Sequence, residues 1–118
     1  MSYDISFRVK IEGVDEYFDT RYCEANITWN VRNMIVKSTG LEWKNNENNG
    51  LCKDIIPAIC QGYVLLTQYP EQYEQYESPN GWGTIRGTKR FFETIIKAWD
   101  ILKLEQPKLA DVATLWIT

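Results

Sequence analysis

The sequence predicts an α+β domain: a small antiparallel sheet, made of an N-terminal hairpin plus a C-terminal strand, with three helices packed on one face in the order β-β-α-α-α-β. Three observations carry that expectation. The opening SYDISFRVKIE alternates strictly, with Tyr3, Ile5, Phe7, Val9 and Ile11 on one face and Asp4, Ser6, Arg8, Lys10 and Glu12 on the other. That is the period of a strand with one buried side. Three later segments switch to helical spacing, and the closing ATLWIT is short, apolar and β-branched. At 118 residues the chain is expected to form a single domain, residues 1–118, able to bury a core without disulfide or metal support.

The elements follow in order. Gly13 with Asp15 supplies turn chemistry. Tyr17 to Cys23 alternates again and is expected to close a hairpin. In ANITWNVRNMIVKSTG the apolar residues Ile27, Val31, Met34 and Ile35 fall at helical spacing. Asn26 or Thr28 would cap that helix, and Gly40 would end it in a left-handed conformation. The polar stretch EWKNNENNG, with asparagines at 45, 46, 48 and 49, reads as an exposed, mobile loop. A second helix is expected from a cap at Asp54, with Pro57 in the first turn, where it removes no hydrogen bond. Ile55, Ile59, Tyr63 and Leu66 would form its buried side. PEQYEQYE reads as a short helix with Tyr69, Tyr73 and Tyr76 on one flank. The stripe Phe92, Ile95, Ile96, Trp99 and Leu102 predicts a third helix from about Thr88 to Leu104, ended by Pro107.

Composition limits the chemistry. The chain has no histidine, which removes serine–histidine and cysteine–histidine catalysis, imidazole metal sites and histidine proton shuttling. No catalytic motif is recognisable, so a non-enzymatic protein without a metal or cofactor is expected. Cys23, Cys52 and Cys60 are odd in number with no CxxC pair, and they read as buried free thiols. A net charge of −3 argues against generic binding to nucleic acid or acidic membranes. No apolar run approaches the ~20 residues of a membrane span. Asp4, Arg8 and Lys10 interrupt any N-terminal signal core, so a cytoplasmic location is expected.

One stretch stands out. SPNGWGTIRGTKRFF, residues 78–92, has three glycines and a tryptophan, then three basic groups and no acid, in a chain that is acidic as a whole. Read as a binding loop, it runs into a helix N-terminus where free amides and the helix dipole favour an anion. The amides of Gly83 and Thr84 would hold an oxygen, Thr84 and Thr88 would add hydroxyl donors, and Arg86, Lys89 and Arg90 would neutralise charge. Trp82 would stack on a planar group. Read as scaffold, Pro-Asn-Gly is turn chemistry and the basic residues are the solvated face of the third helix. The glycine spacing matches neither a P-loop nor a dinucleotide fingerprint. Trp29, Asn30 and Asn33 lie off the apolar stripe of the first helix and form a secondary candidate surface. Acids crowd the first hairpin (Asp15, Glu16, Asp19) and recur every three residues at Glu71, Glu74 and Glu77, where solvated charge is the simpler account.

NITWNV together with SPNGWGT, in a short acidic chain that opens on an alternating strand, resembles small uncharacterised proteins from phages and prophages of Firmicutes-type bacteria. The likeness runs from Tyr3 to about Trp99. It implies no reaction and supplies no catalytic residues. What it implies is an accessory or anti-defence protein that works by binding. The expected partner is a phosphate-bearing small molecule, such as a nucleotide or cyclic nucleotide, near Trp82 and the start of the third helix. The alternative is a host protein blocked through an aromatic and acidic surface. Five tryptophans and seven tyrosines exceed what a small core needs, so homo-oligomerisation stays open.

Overall fold

Residues 2–118 are described by the computed structural model. The opening alternation builds β1 (Ser2–Lys10), which turns Tyr3, Ile5 and Phe7 into the core and Asp4 and Lys10 outward. One edge of β1 is shared by two short strands. Its C-terminal end pairs with β2 (Tyr17–Asp19) and its N-terminal end with β3 (Ala25–Thr28). The other edge pairs with β5 (Thr114–Ile117), which is paired in turn with β4 (Glu47–Leu51). All pairings are antiparallel. The helices α1 (Arg32–Thr39), α2 (Cys52–Gln68), α3 (Ile85–Glu105) and α4 (Pro107–Val112) complete an α+β fold, with four helices where three were expected. No helix among the described residues is long and apolar enough to cross a membrane.

The core lies between the inner face of the sheet and the helices. Phe7 meets Trp99 of α3 edge to face, and Trp43 sits edge-on between Tyr3 and Phe91. Ile56, Ile59 and Leu66 of α2 and Phe92, Ile95 and Leu102 of α3 are buried with them. On the outer face, Arg8 lies 4.8 Å from the centre of the Trp116 ring and donates to Ser6 Oγ at 2.9 Å. Tyr17 leans on the same indole. This layer buries the hydroxyl-bearing Ser6 and Thr114 beneath it.

Several boundaries differ from the sequence expectation, each for a local reason. The segment Tyr17–Cys23 is not one strand. Arg21 adopts a φ of 62° and its N–H bonds Asp19 Oδ1, so the chain turns and re-enters β1's edge as β3. Residues 25–28 are therefore strand, not the start of a helix. Ala25 and Ile27 face inward opposite Ile5 and Tyr3, and the first helical turn is a 3-10 turn at Trp29–Val31. Asn26 does not cap; its amide nitrogen reaches Asp4 Oδ1 at 2.6 Å. Thr28 precedes the turn without a side-chain cap. Gly40 ends α1 at φ 74°, as expected.

The asparagine-rich stretch is a loop only as far as Asn46. Asn49 accepts from Lys44 N–H and donates to Lys44 O, both at 2.8 Å, imitating a backbone pair. Glu47–Leu51 is the edge strand β4. α2 begins at Cys52 rather than after Asp54, so Pro57 lies in its second turn, where the bond to Lys53 O is forgone. Pro70–Gln72 and Glu74–Tyr76 are two 3-10 turns rather than a helix. α3 starts before Thr88, at Ile85, and Pro107 both ends it and opens α4.

Candidate functional site

The stretch 78–92 divides at Thr84 into a folded loop and a helix. In the loop, the Asn80 carboxamide oxygen accepts from Ser78 Oγ at 2.6 Å and from Trp82 N–H at 2.9 Å. Ser78 N–H bonds Gly83 O at 3.1 Å, closing the loop at its base. Gly83 has φ 114°, and a Cβ there would come within 2.9 Å of Val31 Cγ1, so backbone conformation and close approach both require glycine. Asn30 donates to Trp82 O at 3.1 Å. The loop is thereby fastened to the 3-10 turn that precedes α1, and the two sequence-predicted clusters become neighbours.

Two of the amides at the head of α3, those of Ile85 and Gly87, are engaged by side chains of the chain itself. Thr84 Oγ1 accepts from Gly87 N–H at 3.0 Å, an N-cap. Glu77 Oε2 accepts from Ile85 N–H at 3.0 Å, placing a carboxylate where the helix dipole favours negative charge. Thr88 is fully buried and its hydroxyl donates to Thr84 O. Thr84 and Thr88 therefore hold the helix start together.

Arg86, Lys89 and Arg90 share another face. With Glu93 they occupy positions i, i+3, i+4 and i+7 of α3, and they form one wall of a cleft of about 550 Å3. The opposite wall comes from the end of α2 and the 3-10 turns, through Leu66, Thr67, Pro70, Glu74 and Glu77. Two of the three carboxylates are already bonded: Glu77 to Ile85 N–H, and Glu93 Oε1 to the Tyr63 hydroxyl at 2.7 Å. That bond raises the Tyr63 hydroxyl above its ordinary pKa. The cations, by contrast, make no ion pair among the described residues. Lys89 lies 5.4 Å from the centre of the Tyr63 ring.

Trp82 is separated from this cleft. Its side chain is 68% exposed and borders a recess along β3, beside Ser2, Asn26, Ile27 and Thr28. Trp29 lies close by, its indole N–H donating to Ser2 O at 2.9 Å and its ring 5.9 Å from Tyr3. Asn33 is exposed on α1. The structure thus brings Trp82, Gly83, Trp29 and Asn30 to one end of the loop, and Arg86, Lys89 and Arg90 to the cleft. The acids of the first hairpin stand apart from both: Asp15 pairs with Lys10 at 2.9 Å, and both groups are solvent-exposed. No cluster among the described residues gathers enough acidic or thiol ligands to hold a metal.

In the sequence Glu77 reads only as solvated charge and Tyr63 only as part of a helix's buried side, and Glu93 is not singled out. Glu93 carries a signal in hindsight, because it continues the i, i+3, i+4 spacing of the three basic residues. Compared with family models, with curated proteins and with solved structures, the chain matches none, so a functional reading rests on this geometry.

Proposed function

We propose that the protein is a non-catalytic binding protein that takes a phosphate-bearing small molecule, of the nucleotide or cyclic nucleotide class, in the cleft beside the first turns of α3. One observation carries this reading: Arg86, Lys89 and Arg90 line a cleft of about 550 Å3 without an ion pair among the described residues, while two of its three carboxylates, Glu77 and Glu93, are bonded elsewhere. Side chains rather than helix amides would contact the phosphates, because Thr84 and Glu77 already hold the amides of Gly87 and Ile85. Sequestering such a ligand would suit the accessory or anti-defence role implied by the phage-like sequence.

Isothermal titration against nucleotides, cyclic oligonucleotides and pyrophosphate tests the reading. Arg86→Ala and Lys89→Ala each remove a charge-assisted contact and are expected to weaken binding about ten- to a hundredfold, with the melting temperature nearly unchanged. Unchanged affinity in both variants, or no ligand in the panel, would dismiss the cleft.

A second reading is favoured by the exposure of Trp82, which neither packs in the core nor lines the cleft. An exposed indole beside Trp29 suits a protein partner of the kind a host-directed inhibitor would engage. Trp82→Ala separates the two readings. It spares nucleotide binding in the cleft and abolishes capture of a protein partner.

A further inference from the structure

β3 is an open edge of the sheet. It bonds β1 along one side, and no other strand among the described residues lies beyond it. The direction of its peptide groups follows from β1. Asp4 exchanges both of its backbone bonds with Thr118, each at 2.9 Å, so its peptide groups point away from β3. Asn26 stands opposite Asp4 and therefore forms a non-bonded pair with it. The alternation of an antiparallel ladder then turns the N–H and C=O of Asn26, and the N–H of Thr28, toward the open side. The opposite edge of the sheet is less receptive, because β4 is broken by an irregularity between Asn48 and Leu51. Beside the free groups of β3 lies a recess of about 460 Å3, lined by Ser2, Asn26, Ile27, Thr28 and Trp82.

The side chains along this edge have a polarity of their own. Ala25 and Ile27 are buried on the inner face, while Glu24 and Asn26 are exposed and Thr28 is half-buried. Trp82 stands at the Thr28 end. At the other end Asp4, Asp19 and Glu24 line a neighbouring recess, and none of the three makes an ion pair among the described residues. Arg8, the cation in that lining, is held over the Trp116 ring and bonded to Ser6.

We infer that the open edge of β3 docks an extended, basic segment of another protein. The segment pairs antiparallel with β3 as an added strand, sets a Lys or Arg against Glu24 and lays an aromatic side chain on Trp82. The inference rests on the reading of Trp82 as a protein contact and adds the manner in which the partner is held. Main-chain bonds to Asn26 and Thr28 supply affinity, and the alternate side chains supply selectivity. Four residues of strand separate Glu24 from Thr28 by about 13 Å, so the basic and aromatic residues of the partner stand four apart. A second copy of this chain does not meet that requirement. Its β3, ANIT, carries no cation and would return Glu24 to the same acidic surface.

The test is titration calorimetry of the full chain with the capped peptide Lys-Thr-Val-Thr-Phe-Thr-Val-Thr-Lys, in which a lysine lies four residues from the phenylalanine in either direction. Two control peptides accompany it. One has both lysines replaced by glutamate; the other is N-methylated at the phenylalanine and both valines, so it keeps every side chain but cannot pair with β3. The expected result is saturable binding of the first peptide and binding about tenfold weaker or less for each control. Asn26→Pro removes the outward N–H at an edge position that accommodates proline. Asn26→Pro, Glu24→Lys and Trp82→Ala are each expected to weaken the first peptide about tenfold or more, with the melting temperature reporting that each variant is folded. Glu24→Lys, at an exposed position, carries the test should Asn26→Pro not fold. Failure of the first peptide to bind overturns the inference. So does equal binding of the N-methylated peptide. If Trp82→Ala still abolishes that binding, Trp82 stands as a protein contact and only the added strand is refuted. Binding that Trp82→Ala leaves unchanged overturns both the inference and the reading of Trp82 on which it rests. Concentration-dependent dimerisation in sedimentation that disappears in Asn26→Pro overturns the inference too, by assigning the edge to a second copy.

Discussion

Gly62 sits in α2 where α1 and α3 converge, and one added methyl group would probe how closely that junction is set. An alanine Cβ there would lie 2.7 Å from Thr39 Cγ2, 3.1 Å from Phe92 Cε2 and 3.2 Å from Ser38 Oγ. Carbon atoms in favourable contact are about 3.5–4.0 Å apart, so the approach to Thr39 is short by roughly an ångström. Thr39 cannot swing aside freely, because its hydroxyl donates to Ile35 O at 2.7 Å and accepts from Leu41 N–H at 3.1 Å. Phe92 is fully buried and equally confined. Helix propensity acts in the opposite direction, alanine being favoured over glycine by about 1 kcal/mol. Overpacking a closed core costs about 1–3 kcal/mol, which leaves a net loss of up to about 2 kcal/mol. With an unfolding entropy of about 2.1 cal/mol/K per residue, the chain as a whole has roughly 0.25 kcal/mol/K, and Gly62→Ala should melt up to about 8 °C lower. Calorimetry of the single variant and of a Thr39→Ser background completes the assay. Serine keeps the hydroxyl bonds but lacks Cγ2, so in that background Gly62→Ala should be neutral or stabilising. A higher melting temperature for the single variant, or the same loss in both backgrounds, would refute the steric argument.

Two further perturbations address the site and the core. Glu77→Ala removes the acceptor of Ile85 N–H and the carboxylate at the positive end of α3, so it should cost about 1 kcal/mol of stability. The same change strips a negative charge from the cleft and should tighten pyrophosphate binding in titration calorimetry; unchanged stability or weakened binding would contradict the placement of that carboxylate. Burial pushes the thiols of Cys23 and Cys52 from an ordinary 9.0 up to about 12. The folded chain thus keeps protons that the unfolded chain has lost, and stability is level below pH 9 and falls as the pH rises toward 12, by up to about 4 kcal/mol for each thiol. Urea unfolding across that window checks the sign, and a Cys23→Ala/Cys52→Ala double variant should flatten most of the decline. Stability that holds level to pH 12 in the native sequence would show that the thiols are not desolvated.

The elements legible in the sequence are those whose side chains carry the pattern. β1 alternates because one face is buried, and α3 repeats because a single stripe meets the core. The elements that were missed are held by backbone or amide bonds. β4 contains Glu47, Asn48, Asn49 and Gly50, residues with poor strand propensity, and it is a strand because β5 offers a free edge and Asn49 shapes the turn before it. β3 was assigned to a helix because Ile27 happens to stand four residues before Val31. One apolar residue at the right distance cannot separate a strand that faces the same core from a helix that follows it. The central place of β5 between β1 and β4 was equally invisible, since strand order across a sheet depends on long-range pairing that no local period encodes.

The stretch 78–92 shows how far the same reasoning extends into a site. The buried stripe of α3 requires Thr88, Phe92, Ile95, Trp99 and Leu102 to face inward, so Arg86, Lys89, Arg90 and Glu93 must share an outward flank. That much follows from a period of 3.6 residues alone. The wall opposite them does not. It is built by the end of α2 and by two 3-10 turns, and their positions depend on how the chain leaves Gln68. The sequence also offers the anion site at the head of α3 without showing that Glu77, eight residues before Ile85, occupies one of its amides in cis. With Thr84 and Glu77 engaged in this way, selectivity for an anion in the cleft would rest on three long, solvated side chains rather than on fixed amides. Such a site is screened by salt, so its affinity for pyrophosphate should fall steeply as ionic strength rises, whereas a cradle built from backbone amides would respond weakly.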